Sequence, residues 1–133
     1  MKKYTASIEQ AKPQSPVMDF VMCLLHSVTN AHILHLSTTS YAAHKALENY
    51  YEEIGGIVDS FVEAYQGKYG LLTGYKSDYM IPADPISYMA YLSDEVAKLR
   101  RQSGFPQDSE LQNITDEIVQ LIDSTSYKLK FLK

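Results

Sequence analysis

The chain has 133 residues, of which 45% are hydrophobic, and this size and composition predict one soluble domain, residues 1–133, with a single core. A formal net charge of -4 argues against a general polyanion binder, because affinity for nucleic acid comes mainly from phosphate neutralisation by Lys and Arg. The one cysteine, Cys23, excludes a disulfide framework, and its apolar neighbours predict a buried thiol in a reducing cytoplasm.

Residues 1–14 contain three lysines and little hydrophobic periodicity, so they are expected to form a flexible N-terminal arm. No apolar segment follows the first two lysines, and the uninterrupted apolar runs are far shorter than the about 20 residues that a bilayer requires. Neither secretion nor membrane insertion is therefore expected, and the cytoplasm is the expected compartment. The lysines of the arm give an acidic chain only a weak, salt-sensitive attraction to DNA.

The first predicted helix begins at Ser15 and Pro16, since serine caps free backbone N–H groups and proline fits the first helical turn. Apolar residues then recur at helical spacing as far as Val28. His32 and His35 continue the same stripe, so both are predicted to point inward. For His35, a hydrogen-bonded place in the core is favoured over a role as a metal ligand.

The second predicted helix runs over about residues 41–66 and ends at Gly67 and Gly70. Within it, Gly55 and Gly56 each cost roughly 1 kcal/mol relative to alanine. Such a cost is tolerated where two backbones approach closely. Two exposed glycines with no structural role fit the sequence nearly as well.

The second half of the chain opens with residues 67–83, a glycine- and tyrosine-rich segment long enough to cross from one end of a helical bundle to the other. Asp84, followed by proline, starts a third helix that Gly104 ends, and Asp108 or Ser109 caps a fourth. Short, long and short connections predict an all-α fold, namely an antiparallel four-helix bundle with one long crossover. Ferritin-like folds use this type of connection.

The second helix carries an unusual polar flank. At about 100° per residue its His44, Glu48, Asp59 and Glu63 occupy about one third of the circumference, beside the apolar stripe. Lys45 is the only cation between residues 41 and 66, and like charges four residues apart repel unless a cation neutralises them. Nitrogen and oxygen donors of this kind suit Fe(II), Mn(II) or Zn(II), with iron preferred. The candidate ligands, with one histidine from the first helix, are His32, His44, Glu48, Asp59 and Glu63.

Residues 17–67 resemble the Dps group (DNA protection during starvation) of ferritin-like mini-ferritins. The residues that carry the resemblance are Ala31-His32, Tyr41-Ala42-Ala43-His44, Glu48, Asp59, Glu63 and Gly67. The resemblance implies an iron-binding protein that oxidises Fe(II) with oxygen or peroxide. It also implies a homo-oligomer, a dimer or larger, in which one subunit supplies His32, His44 and Glu48 and another supplies Asp59 and Glu63.

Two other functions stay open at this point. A non-catalytic ferritin-like bundle could have lost the metal site and act on a protein partner, as an interaction or inhibitory protein. It would bind no stoichiometric metal, and removing Asp59 and Glu63 would stabilise it by relieving repulsion. A DNA-compacting role for the lysine-bearing arm is the weaker third reading.

Overall fold

The computed structural model describes residues 15–76 and 80–133. Within them it contains no strand and four helices, which are α1 (Pro16–Ser37), α2 (Tyr41–Tyr69), α3 (Pro85–Leu99) and α4 (Ser109–Phe131). The predicted all-α class, a bundle of four helices, is confirmed. The predicted N-terminal arm, residues 1–14, lies outside the described residues.

The helix ends depend on capping residues that are legible in the sequence. The side chain of Ser15 accepts a hydrogen bond from the backbone N–H of Met18 at 3.0 Å, and Asp84 caps α3 in the same way. Gly70 ends α2 with a φ of 98°, a left-handed conformation that favours glycine. Gly67 does not end the helix as predicted, because one glycine costs only about 1 kcal/mol and leaves the backbone hydrogen bonds intact.

The helices pack antiparallel to their neighbours. Both α1 and α4 contact α2 and α3. The rings of Phe20 and Phe61 join the start of α1 to the later part of α2, while Asn30 near the end of α1 bonds Tyr88 near the start of α3. Helices α2 and α3 therefore run in the same direction, and residues 70–84 connect the end of α2 to the opposite end of the bundle, where α3 begins.

The core consists of the predicted apolar stripes. Most of its buried side-chain polar groups are paired, as in the hydrogen bond of 2.8 Å between Ser27 Oγ and Tyr50 Oη; Oδ1 of Asn30 is the exception among the described residues. Two residues predicted to face inward, Leu25 and Ile86, are 37% and 40% exposed. Leu25 lies at the edge of the stripe, about 100° from the buried Leu24, and Ile86 lies in the first turn of α3.

Helix α1 is the one helix in the described part of the chain that is long and apolar enough to cross a membrane, with a mean hydropathy of 1.4 over its window. Counting uninterrupted apolar runs misses this property, because scattered Ser, Thr, Asn and His residues break the runs without lowering the average much. Half of the window is buried inside the bundle. Core helices of soluble proteins meet the same criterion, and the buried stripe of α1 packs as in such a helix.

Candidate metal centre

Three side chains with metal-ligating atoms meet at the turn between α1 and α2. His35 lies in the last turn of α1, and His44 and Glu48 lie one turn apart at the start of α2. One nitrogen from each imidazole and one oxygen of the carboxylate all lie within 4.8 Å of one another. The three side chains are therefore candidate ligands of a single ion.

Reciprocal hydrogen bonds fix both imidazoles. His35 Nδ1 lies 2.7 Å from the carbonyl oxygen of His44, and His44 Nδ1 lies 2.8 Å from the carbonyl oxygen of His35. A carbonyl oxygen only accepts hydrogen bonds, so Nδ1 of each ring carries the proton and donates it. In each neutral ring the other nitrogen, Nε2, then holds the lone pair that a metal requires. We call this pair of hydrogen bonds the histidine clamp.

The histidine clamp also has a structural role. Carbonyl groups in the last turn of a helix lack partners within the helix, and in α1 the N–H of Thr38 already bonds the carbonyl of Leu34. The ring of His44 supplies the donor for the next carbonyl, that of His35. The two rings stack with centroids 3.6 Å apart and 17° between their planes. The clamp therefore closes the turn and aligns the two rings.

Glu48 brings a negative charge to the two rings. Lys45 Nζ lies 3.1 Å from Glu48 Oε1, and this hydrogen bond is the main reason that the pKa of Glu48 lies below its usual value. The charge of Lys45 lowers it further, while partial desolvation opposes the shift. Glu48 is therefore an ionised carboxylate with one oxygen bonded to Lys45 and the other available to a metal.

The two candidate histidines of α1 differ in their surroundings. His35 is 7% exposed and hydrogen-bonded, as predicted, and it also joins the candidate ligand group. The inward orientation predicted for His32 is wrong: this residue is exposed, because it lies about 100° beyond the buried Ala31. Its ring stacks on Tyr51 with a centroid distance of 4.3 Å and lies 5.7 Å from the ring of His35.

Of the other predicted ligands, His44 and Glu48 belong to the cluster, whereas Asp59 and Glu63 are exposed farther along α2. Glu48 and Asp59 are separated by about 16 Å along the helix axis, at about 1.5 Å per residue. One chain does not bring all four side chains together. That Asp59 and Glu63 serve a second subunit stays a prediction.

His35 was not selected as a ligand from the sequence, although a signal for it existed. His35 lies two residues before the end of α1, and His44 is the fourth residue of α2. A link of three residues, 38–40, places two such positions side by side at the turn. The positions of the helix ends therefore indicate that His35 and His44 are neighbours, whereas the spacing along α2 alone does not.

The model of a family of unknown function, DUF5856, matches residues 35–129, more than half of the chain. The matched range begins at His35 and includes His44, Glu48, helices α2 and α3 and all but the last two residues of α4. No curated protein and no solved structure matched the chain.

Proposed function

We propose that this chain is a Dps-like, ferritin-like iron-binding protein that oxidises Fe(II) at sites between subunits. The chain belongs to the DUF5856 family, whose function is unknown, so the proposal rests on the candidate metal centre. The histidine clamp is the observation that carries this proposal. Ligand histidines commonly donate their second ring nitrogen to a carbonyl group, which fixes the tautomer and the orientation of the ring. Both rings here have that arrangement, beside an ionised carboxylate.

The donor set favours iron as the substrate ion. Two imidazoles and one carboxylate with open coordination positions are the ligands of many non-haem Fe(II) centres, while Mn(II) and Zn(II) are competitors. His35 and His44 would supply nitrogen, and Glu48 would supply oxygen. His35 thus takes the place that the sequence pattern gave to His32. The open positions would admit water, oxygen or peroxide.

A second copy of the chain could complete the site. In two α2 helices packed antiparallel about a two-fold axis at residues 53–54, Glu48 lies opposite Asp59 and His44 lies opposite Glu63, because both pairs have the same midpoint. The four side chains also share one flank of the helix. This symmetry gives two identical sites per dimer, as expected for an isologous interface.

The surface of α2 near this axis supports such a contact. Among the described residues, no heavy atom outside the helix's own backbone lies within 4 Å of the position that a Cβ would occupy on Gly55 or Gly56. The close approach predicted for these glycines is thus not made by the described part of the chain, which leaves space there for another helix. Asp59 and Glu63 do not belong to the candidate ligand group of their own chain. A second copy would place its own Glu48 and His44 opposite them.

The directions of the helices support the ferritin-like part of the proposal. Helices α2 and α3 run in the same direction and are joined by residues 70–84, the long crossover used by ferritin-like bundles. The expected compartment remains the cytoplasm.

The reaction requires no residue to change covalently. Two Fe(II) ions supply the two electrons that convert one hydrogen peroxide and two protons into two water molecules. Positive charge increases as Fe(III) forms, so nearby carboxylates stabilise the product more than the reactant. Glu48, with Asp59 and Glu63 of a second copy, would supply that negative charge.

Anaerobic Fe(II) binding by Glu48→Gln tests the metal centre. This variant leaves both bonds of the histidine clamp in place but removes the carboxylate ligand, so we expect affinity to fall at least about tenfold. Glu53→Gln is the matched control, since Glu53 is exposed and lies about 140° around α2 from Glu48. Equal iron affinity in wild type and Glu48→Gln would contradict the proposal. No iron in the wild type would favour the non-catalytic bundle, in which the clamp only joins α1 to α2.

Mixed oligomers test whether the site lies between subunits. One variant carries Glu48→Gln, and the other carries Asp59→Asn with Glu63→Gln. At iron concentrations where neither variant oxidises Fe(II) alone, subunits refolded together should regain activity, because each mixed dimer contains one complete site. Mixed dimers without recovered activity would contradict the inter-subunit arrangement.

A further inference from the structure

A groove of about 600 Å³ lies between α1 and α3, and none of the residues of the metal centre lines it. Helix α1 contributes Cys23, His26 and Asn30, helix α3 contributes Tyr88 and Tyr91, and residues 80–84 form the rim. The volume falls within the range of about 300–1,000 Å³ that is usual for small-molecule sites. Such sites combine apolar walls with a few fixed polar groups, and this groove has that composition.

The polar group at its base is the carboxamide of Asn30, which is 3% exposed. Its Nδ2 donates to Tyr88 Oη at 3.1 Å and to the carbonyl of Met80 at 3.3 Å. Its Oδ1 is the one buried side-chain nitrogen or oxygen without a hydrogen-bond partner in the described part of the chain. A buried acceptor without a partner is unfavourable, so the protein lacks one donor here.

The walls of the groove are aromatic. The rings of Tyr88 and Tyr91 are nearly parallel, with centroids 6.2 Å apart and 14° between their planes. Tyr91 is 52% exposed, and at the rim Met80 and Ile81 are 85% and 60% exposed. These side chains offer a flat apolar surface that remains largely uncovered.

The charges around the groove favour a neutral ligand. No lysine or arginine is among its described lining residues, so an anion would find no opposite charge. The carboxylate of Asp84 already accepts bonds from the N–H and the hydroxyl of Ser87. Burial raises the pKa of the Cys23 thiol to about 12, so this group stays protonated and is a poor nucleophile. Reversible binding therefore fits the groove better than covalent chemistry.

We propose that this groove binds a small, neutral, planar aromatic molecule that carries one N–H or O–H donor. The ring would pack on Tyr91 and the apolar rim, and the donor would bond Asn30 Oδ1. This atom is covered in the free groove, so the amide must rotate to meet the ligand. The terminal torsion of asparagine is soft, and the bond of 3.3 Å to Met80 is the weaker of the two that hold the amide.

Two probes of nearly equal shape test the proposal directly. Indole has an N–H donor, and benzofuran has an ether oxygen in its place. Titrations followed by amide NMR shifts of the wild-type chain should give about tenfold tighter binding of indole, because only indole satisfies Asn30 Oδ1. The shifted signals should come from residues 23–30 and 80–91.

Three variants locate the binding. Asn30→Leu removes the unpaired Oδ1 together with the two bonds of Nδ2, so it should bind both probes equally. Tyr91→Ala should weaken binding of both probes, whereas Tyr127→Ala, an equally exposed tyrosine on α4, should change neither. Equal binding of the two probes by the wild-type chain, no binding at millimolar concentrations, or shifts confined to other residues would overturn the proposal. The comparison of probes on the wild type stands even if a variant fails to fold.

Discussion

His35 and His44 each donate a ring N–H to the other's backbone carbonyl, at 2.7 and 2.8 Å. The same two bonds close the turn between α1 and α2 and leave Nε2 of each neutral ring with a free lone pair. Structure and metal binding therefore depend on different atoms of the same rings. Substitutions that remove only one of these roles separate them.

The first prediction concerns the structural role of the clamp. His44→Phe keeps an aromatic ring for stacking but removes the donor to the carbonyl of His35. We expect the free energy of unfolding to fall by about 1–2 kcal/mol, because a largely buried carbonyl loses its partner. Urea unfolding measures the change, and Glu48→Gln, which leaves the clamp intact, should keep the wild-type midpoint. An unchanged midpoint for His44→Phe would mean that water replaces the bond at no cost.

The second prediction concerns Lys45, whose ammonium group occupies one oxygen of Glu48. A metal ion competes with this charge for the same carboxylate, so Lys45→Ala should bind Fe(II) or Zn(II) several-fold more tightly. The gain should shrink at high salt, because an exposed ion pair is screened. Titration calorimetry at two salt concentrations measures it. Lys68→Ala, at the far end of α2, is the control, and weaker binding by Lys45→Ala would contradict the role given to Glu48.

The third prediction separates the folding of one chain from association. Gly55→Leu should raise the stability of the monomer by up to about 1 kcal/mol, because leucine favours helix and no atom of the described residues crowds a Cβ at this position. The same side chain would fill the space reserved for a second α2, so the dimer should dissociate at higher concentration. Sedimentation equilibrium, with thermal unfolding at low protein concentration, tests both effects. Unchanged association would place the interface elsewhere.

The fourth prediction is a pH dependence at the start of α3. Hydrogen bonds from the hydroxyl of Ser87 and, to a smaller extent, from its backbone N–H hold the pKa of Asp84 below its usual value. The pKa of Asp84 is lower in the folded state than in the unfolded state, where it is near 4. The cap therefore stabilises the protein fully above the unfolded-state pKa, and this stabilisation is lost as the pH falls through the folded-state pKa. Asp84→Ala should therefore cost about 1 kcal/mol at neutral pH and less near pH 3.

Unfolding of this variant at both pH values provides the test. Asp94→Ala, which removes an exposed carboxylate farther along α3, is the control and should cost little at either pH. An equal cost of Asp84→Ala at both pH values would show that the side chain stabilises the helix by packing and not by accepting hydrogen bonds.

Helix positions were predictable because their signals are local. Ser15 and Asp84 cap the helices that they precede, and Gly70 adopts the positive φ that ends α2. The spacing of His44 and Glu48 was equally local, since residues four apart share a helix face. Predictions of this kind need only the residue types at the helix ends and the period of a helix.

The remaining part of the site depends on packing between helices. Whether His32 or His35 joins His44 and Glu48 is decided by the rotation of α1 about its axis, which depends on packing against the other helices. The unpaired Oδ1 of Asn30 arises in the same way, because its surroundings come from α3 and from residues distant in sequence. Periodicity within one helix carries no information on either point.

X-ray absorption at the iron edge of the Fe(II)-loaded protein tests the central claim most directly, because it reports the atoms around the ion. We predict scattering from two imidazole rings together with oxygen ligands, and loss of one ring in His35→Ala loaded to the same occupancy. Iron surrounded by oxygen alone in the wild type would contradict the assignment, since the ion would then be held by surface carboxylates and not by the histidine clamp.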